Sequence, residues 1–116
     1  MKCPTPTRGE IWSVHTPGQP KDPHQPRPAL VISADALNHY ALDVCVVPMT
    51  SIERPKFSLR VQVKPGEGGL RRDSWAKCDQ VTTLEKNLLL YPPLGRLTDE
   101  TLKTIEEGIK LALQLL

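Results

Sequence analysis

Aromatic side chains are scarce: Trp12, Tyr40, Phe57, Trp75 and Tyr91 are the five among 116 residues, so aliphatic side chains must supply most of any core. Long apolar runs are missing too. None approaches the roughly 20 residues of a membrane span, and the proline-rich start lacks the apolar stretch of a signal peptide, so a cytoplasmic protein with no membrane partner is expected. Cys3, Cys45 and Cys78 are odd in number and not closely paired, which argues against a disulfide framework, a zinc knuckle or a redox motif. His15, His24 and His39 have no metal-ligand spacing and there is no phosphate-binding glycine loop, so neither a metal nor a cofactor is expected. A strong charge of one sign is also missing. The formal total is +2, but residues 98–116 carry Asp99, Glu100, Glu106 and Glu107 against Lys103 and Lys110, which leaves +4 on residues 1–97. That bias falls short of a basic tail; it is compatible with a phosphate-bearing partner, and most often marks a solvated surface.

The length fits one domain, residues 1–116, with a core so small that a dimer would help it. Residues 1–7 contain Pro4 and Pro6 and no periodicity, and are expected to form a mobile arm. Glu10-Ile11-Trp12-Ser13-Val14-His15 alternates as a strand does, with Ile11 and Ser13 on one face and Glu10, Trp12 and Val14 on the other. The segment 16–27 holds Pro17, Gly18, Pro20, Pro23 and Pro26, which excludes helix and internal strand and predicts a long exposed loop carrying Lys21, Asp22 and His24 toward Arg27.

Arg27 stands between Pro26 and Pro28, which stiffen its backbone and aim the side chain. A plainer reading lays Arg27 along the surface, its stem covering apolar atoms. Ala29-Leu30-Val31-Ile32 then reads as a strand buried on both faces. Residues 34–38 suggest one helical turn. Leu42 to Met49 is β-branched enough for a central strand, with Thr50 and Ser51 where it runs out. Phe57 to Val63 alternates strictly: Phe57, Leu59, Val61 and Val63 inward, Ser58, Arg60 and Gln62 to water. Residues 65–69 are a turn and Ser74 to Val81 another strand. From Thr98, an N-cap, Leu102, Ile105, Ile109, Leu113 and Leu116 recur at helical spacing, and Gly108 in mid-helix implies close packing there or an imperfect helix. Short strands followed by one helix give a mainly β fold, a small, mostly antiparallel barrel capped by a terminal α-helix.

Arg8-Gly9-Glu10-Ile11-Trp12, Arg27 to Ser33, Val47-Pro48-Met49-Thr50-Ser51, Gly69-Leu70, Cys78-Asp79-Gln80-Val81 and Gly95-Arg96-Leu97 before a helix follow one another in an order that resembles the MazF/PemK (Kid) toxins. The resemblance runs from Arg8 to Leu116. It implies an antiparallel SH3-like barrel of five to seven strands, a homodimer, metal-independent sequence-specific cleavage of single-stranded RNA, and inhibition by an acidic antitoxin protein.

Such cleavage uses the ribose 2′-hydroxyl as nucleophile, and the site must supply a base, an acid for the leaving oxygen, and charge or donors on the phosphate. Arg27 suits the phosphate, since a guanidinium is a rigid, permanently charged fork of donors. Thr50 and Ser51 offer hydroxyls. Lys77 and Asp79, two apart on an expected strand, would share a face and could act as acid and base; a surface salt bridge would look the same. The resemblance gives Asp79 the position of a catalytic aspartate. It also marks two departures: Lys77 stands where some members have arginine, and the loop reads Gly18-Gln19-Pro20-Lys21-Asp22-Pro23-His24-Gln25 without the usual Gly-x-Glu-Gln. His24 is the loop's nearest chemical equivalent of the family histidine, although in a proline-rich loop it is more often only solvated. Glu10 would face the RNA or pair with Arg8.

Two other classes of function fit the same barrel: a member that has lost catalysis and binds RNA or protein, and a gyrase poison of the CcdB-like group, acting through the terminal helix without cutting RNA. RNA cleavage in chelator separates the first reading from both.

Overall fold

The computed structural model of the chain describes residues 5–15, 26–53 and 59–115. Seven strands and two helices follow one another: β1 Glu10–Val14, β2 Arg27–Val31, α1 Asp35–Tyr40, β3 Asp43–Thr50, β4 Arg60–Val63, β5 Ser74–Lys77, β6 Thr82–Glu85, β7 Leu89–Arg96 and α2 Asp99–Leu113. The strands form one antiparallel sheet in the order β4-β5-β3-β2-β1-β7, with β6 paired to β3. β3 is its centre: Val46–Pro48 pair with β2, residues 43–46 with β6, and Met49 and Thr50 with Ala76 and Trp75 of β5.

Alternation along the central strands sends side chains into two separate cores. Ile11, Leu30, Val47 and Met49 point into one, with Leu102 and Ile105 of α2; Trp12, Val14, Ala29, Val31, Val44 and Val46 form the other on the opposite face. This explains the unbroken apolar runs of β2 and β3, since Ala29, Leu30, Val31, Val46, Val47 and Met49 are buried on alternate faces of the sheet. β4 also points Val63 inward, with Leu59 and Val61 partly buried, as its alternation requires; Phe57 and Ser58 lie outside the described residues.

The turn at 65–69 joins the two ends of the sheet. Gly69 and Gly95 meet there backbone to backbone: a Cβ on Gly69 would lie 2.0 Å from the Leu94 carbonyl oxygen, and one on Gly95 2.5 Å from the Gly68 carbonyl carbon. From that turn Glu67 accepts hydrogen bonds from the Thr98 amide (3.0 Å) and hydroxyl (2.8 Å), while the Thr98 hydroxyl accepts from the Thr101 amide (3.2 Å) and so caps α2. Gly108 confirms the close-packing alternative, since a Cβ there would stand 2.8 Å from Cys78 Sγ.

Several expectations change. The strand expected over residues 74–81 ends at Lys77, and Cys78 and Asp79 form a turn closed by the Gln80 amide donating to the Lys77 carbonyl (2.9 Å). β6 and β7 were not legible: β7 contains Pro92 and Pro93, tolerated because it is the last strand of the sheet. Arg60 is half-buried instead of solvated, and its Nε is enclosed with no hydrogen-bond partner among the described residues. Leu113 faces outward at 51% exposure, because α2 runs past the end of the core. In the expected arm, Pro6 is buried and the Thr7 amide donates to Glu10 Oε1 (2.6 Å); residues 1–4 lie outside the described residues.

Candidate active site

β2 and β3 are antiparallel neighbours with Ala29 opposite Pro48, so the start of β2 and the end of β3 come out on the same side of the sheet. That register brings Arg27, Thr50 and Ser51 together at the rim of a cleft of about 490 Å³. Pro26, Pro28, Met49 and Leu70 give it apolar walls. Arg27 is half-buried, follows Pro26 and precedes Pro28 in the chain, and engages in an interaction of its own. The Thr50 hydroxyl accepts from the Ile52 amide at 3.1 Å, which fixes the oxygen and leaves its hydrogen for an acceptor in the cleft.

The structure adds residues that the sequence reading passed over. Arg71, Arg72 and Ser74 line the same cleft, which holds three arginines and no Asp or Glu among its described lining. The signal was present in the sequence as a dibasic pair after Gly69-Leu70, but nothing local says that this pair faces Arg27.

Other expected residues stand elsewhere. Lys77 is opposite Arg60 at the far end of β5, two residues beyond Trp75, the partner of Thr50. That separation is roughly 7 Å along the strand. Asp79 is exposed in the following turn, so the shared face expected from strand alternation does not arise. Neither lines the cleft. Glu10 does not pair with Arg8. Its Oε1 accepts from the Thr7 amide and from the Trp12 indole (3.2 Å), while Arg8 pairs with Glu106 and donates to the Ile32 carbonyl (3.0 Å). Lys21, Asp22 and His24 lie outside the described residues. Among the described residues no three His, Cys, Asp or Glu side chains converge as a metal site would require.

Residues 7–113 match the family described as PemK-like, MazF-like toxin of type II toxin–antitoxin system. The chain belongs to that family. It is 32% identical over 114 residues to endoribonuclease MazF9 of Mycobacterium tuberculosis, covering 93% of this chain and 96% of that protein. To endoribonuclease MazF of Staphylococcus saprophyticus it is 29% identical over 110 residues, covering 93% and 91%. Among solved structures, an endoribonuclease from Mycobacterial species superposes with a TM-score of 0.78 at 26% identity, covering 97% of this chain and 94% of that one. A Mycobacterial endoribonuclease in complex with its cognate antitoxin gives 0.77 at 25%, covering 97% and 96%.

Several motifs that carry the MazF/PemK likeness prove to be architectural. Arg8 and Gly9 tie β1 to its surroundings: the Gly9 amide donates to the Val31 carbonyl (2.9 Å), and the Arg8 amide donates to Asp35 (2.7 Å). That amide, chiefly, holds the Asp35 carboxyl below its usual range, with Asn38 helping and burial opposing. Cys78 of the Cys-Asp-Gln motif is fully buried beneath α2. Burial, and then the nearby Asp79 carboxylate, push its thiol up to about 11, so it is packing material and not a nucleophile.

Proposed function

We propose that this MazF/PemK-family chain is the toxin of a type II toxin–antitoxin pair and acts as a metal-independent endoribonuclease on single-stranded RNA. The convergence of Arg27, Thr50 and Ser51 in one cationic cleft, in a chain of this family, carries the reading. The 2′-hydroxyl gives up its proton to a base as its oxygen attacks the adjacent phosphorus, the bond from phosphorus to the 5′-oxygen of the next nucleotide breaks, and that oxygen takes a proton from an acid, so that no proton is gained or lost overall. The products are a 2′,3′-cyclic phosphate and a 5′-hydroxyl end. Arg27 places its guanidinium on the phosphate oxygens, where charge concentrates in the transition state, and the Thr50 and Ser51 hydroxyls add donors.

Lys77 and Asp79 meet the RNA beyond the cleft, where they bind the strand away from the phosphate held by Arg27. Glu10 holds Trp12 in the core on the other face of the sheet and lines no part of the cleft, so it supports β1 and not the RNA contact. Lys21, Asp22 and His24, in the sequence before Pro26, add to the RNA contacts. The protein works in the cytoplasm as a twofold homodimer. An acidic antitoxin segment competes for the same cleft, which a rim of three arginines without a carboxylate favours. No described helix is long and apolar enough to cross a membrane.

The test is incubation of the purified protein with a long RNA in chelator, followed by chemical mapping of both ends. Discrete sites with a cyclic phosphate and a 5′-hydroxyl are expected. Strict magnesium dependence, or 5′-phosphate ends, would overturn the mechanism.

A further inference from the structure

Segment 70–74 connects the 65–69 turn to β5, and its ends are anchored. Leu70 is buried in the core, its amide donates to the Glu67 carbonyl (3.1 Å), and its carbonyl accepts from the Gly66 amide (2.7 Å). At the other end Ser74 is buried and its hydroxyl donates to the Arg72 carbonyl (3.1 Å). Arg71, Arg72 and Asp73, between these anchors, are exposed. Asp73 does not turn to its arginine neighbours. It accepts from Gln62 Nε2 (3.1 Å) and stays out of the cleft lining, whereas both arginines line it.

Among the described residues, neither the Arg71 nor the Arg72 guanidinium has a hydrogen-bond or ion-pair partner, and no carboxylate lines the cleft beside them. Arg71 and Arg72 are adjacent like charges on a braced backbone, without a carboxylate beside them in the cleft, and water and salt screen their repulsion only in part. An anion with several charges in a row removes that cost. RNA supplies one at every phosphate, and a guanidinium matches the phosphate fork. Resting on the RNA reading above, we infer that Arg71 and Arg72 are a phosphate clamp for the nucleotides flanking the one at Arg27. They contribute affinity and register, and Arg27 and Thr50 contribute the chemistry.

The experiment measures the affinity for a fluorescent single-stranded RNA, 2′-O-methylated throughout so that it cannot form the cyclic phosphate, between about 50 and 200 mM salt. Unsubstituted protein, Arg71→Gln, Arg72→Gln, the double variant and a Lys103→Gln control on the far side of α2 are compared, with melting curves to confirm the fold. The expected slope of log affinity against log salt falls by about 0.7 for each guanidinium removed and by about 1.4 in the double variant. In cleavage assays KM rises at least about tenfold with kcat within about twofold. If the unsubstituted protein neither binds nor cuts RNA, the RNA reading falls and the clamp with it. If it does both and the double variant keeps the same slope and KM, only the clamp is overturned. Loss of affinity for an acidic polyglutamate peptide, with RNA affinity and slope intact, would also overturn it and make the pair an antitoxin contact.

Discussion

The roles proposed for Arg27 and Thr50 rest on position more than on type. The chain has many exposed cations, but Arg27 emerges at the first residue of a strand buried on both faces, opposite the end of the strand that delivers Thr50. Arg27→Ala is expected to lower kcat by about 10²–10³-fold, the loss typical of one transition-state donor, with little change in melting temperature. Thr50→Val should act in the same direction while Thr50→Ser retains most activity; equal rates in all three would remove both from the chemistry. Cys78 gives a second residue-scale outcome. Its folded pKa, about 11, lies above the unfolded value near 9, so the folded state keeps a proton that the unfolded chain releases. Its contribution is therefore complete below about pH 9 and declines as the pH rises toward 11. Alkylation followed by mass spectrometry should label the partly exposed Cys45 in native protein and Cys78 only on unfolding, and Cys78→Ala should flatten the alkaline loss of stability.

Between elements, two contacts decide how α2 sits on the sheet. Gly108 lets the helix backbone approach Cys78. Alanine would add about 1 kcal/mol of helix propensity, but its methyl would meet Sγ at 2.8 Å and Cys78 Cβ at 3.3 Å, with little room for a buried thiol to move. Gly108→Ala is expected to destabilise by about 1–3 kcal/mol, measurable by urea unfolding; a stabilised variant would show that α2 lies looser than this. At the helix start, Glu67 feels a raising effect of burial that is outweighed by hydrogen bonds from Thr101 and from the amide and hydroxyl of Thr98, so its pKa is lowered. With a folded pKa below the unfolded one, its stabilisation is present above about pH 4.5 and disappears as the pH falls through the lowered value. Glu67→Gln should lessen the acid loss of stability between about pH 5 and 3, and an unchanged acid limb would mean the cap carries no charge dependence.

For the whole molecule, the sheet runs from β4 to β7 without the two pairing, and β7 exposes Leu90, Tyr91 and Leu94 along that edge. An edge strand so lined needs a partner or a shield. A homodimer is expected by light scattering at micromolar concentration, and a monomer there would mean the edge is shielded in another way. The cationic cleft predicts that antitoxin binding weakens with salt and displaces uniformly 2′-O-methylated RNA. Simultaneous binding of both without loss of affinity would place the antitoxin elsewhere.

Sequence alone determined whatever rests on neighbours within a few residues. The prolines around Arg27, the double-faced apolar runs of β2 and β3, the hydroxyls after Met49 and the Thr98 cap are local patterns, and each formed where its periodicity or backbone restriction required. Only the tertiary structure decided what depends on residues far apart in the chain. β7 could not be read because two prolines hide a strand whose edge position makes them harmless, and Lys77 and Asp79 parted because a turn needed to reach β6 begins at Cys78. Arg71 and Arg72 looked like any exposed dibasic pair until the anchored segment set them beside Arg27, more than forty residues earlier in the chain. Charge and hydrogen-bonding capacity belong to the residue, but whether cations stand together without carboxylates is fixed by long-range packing.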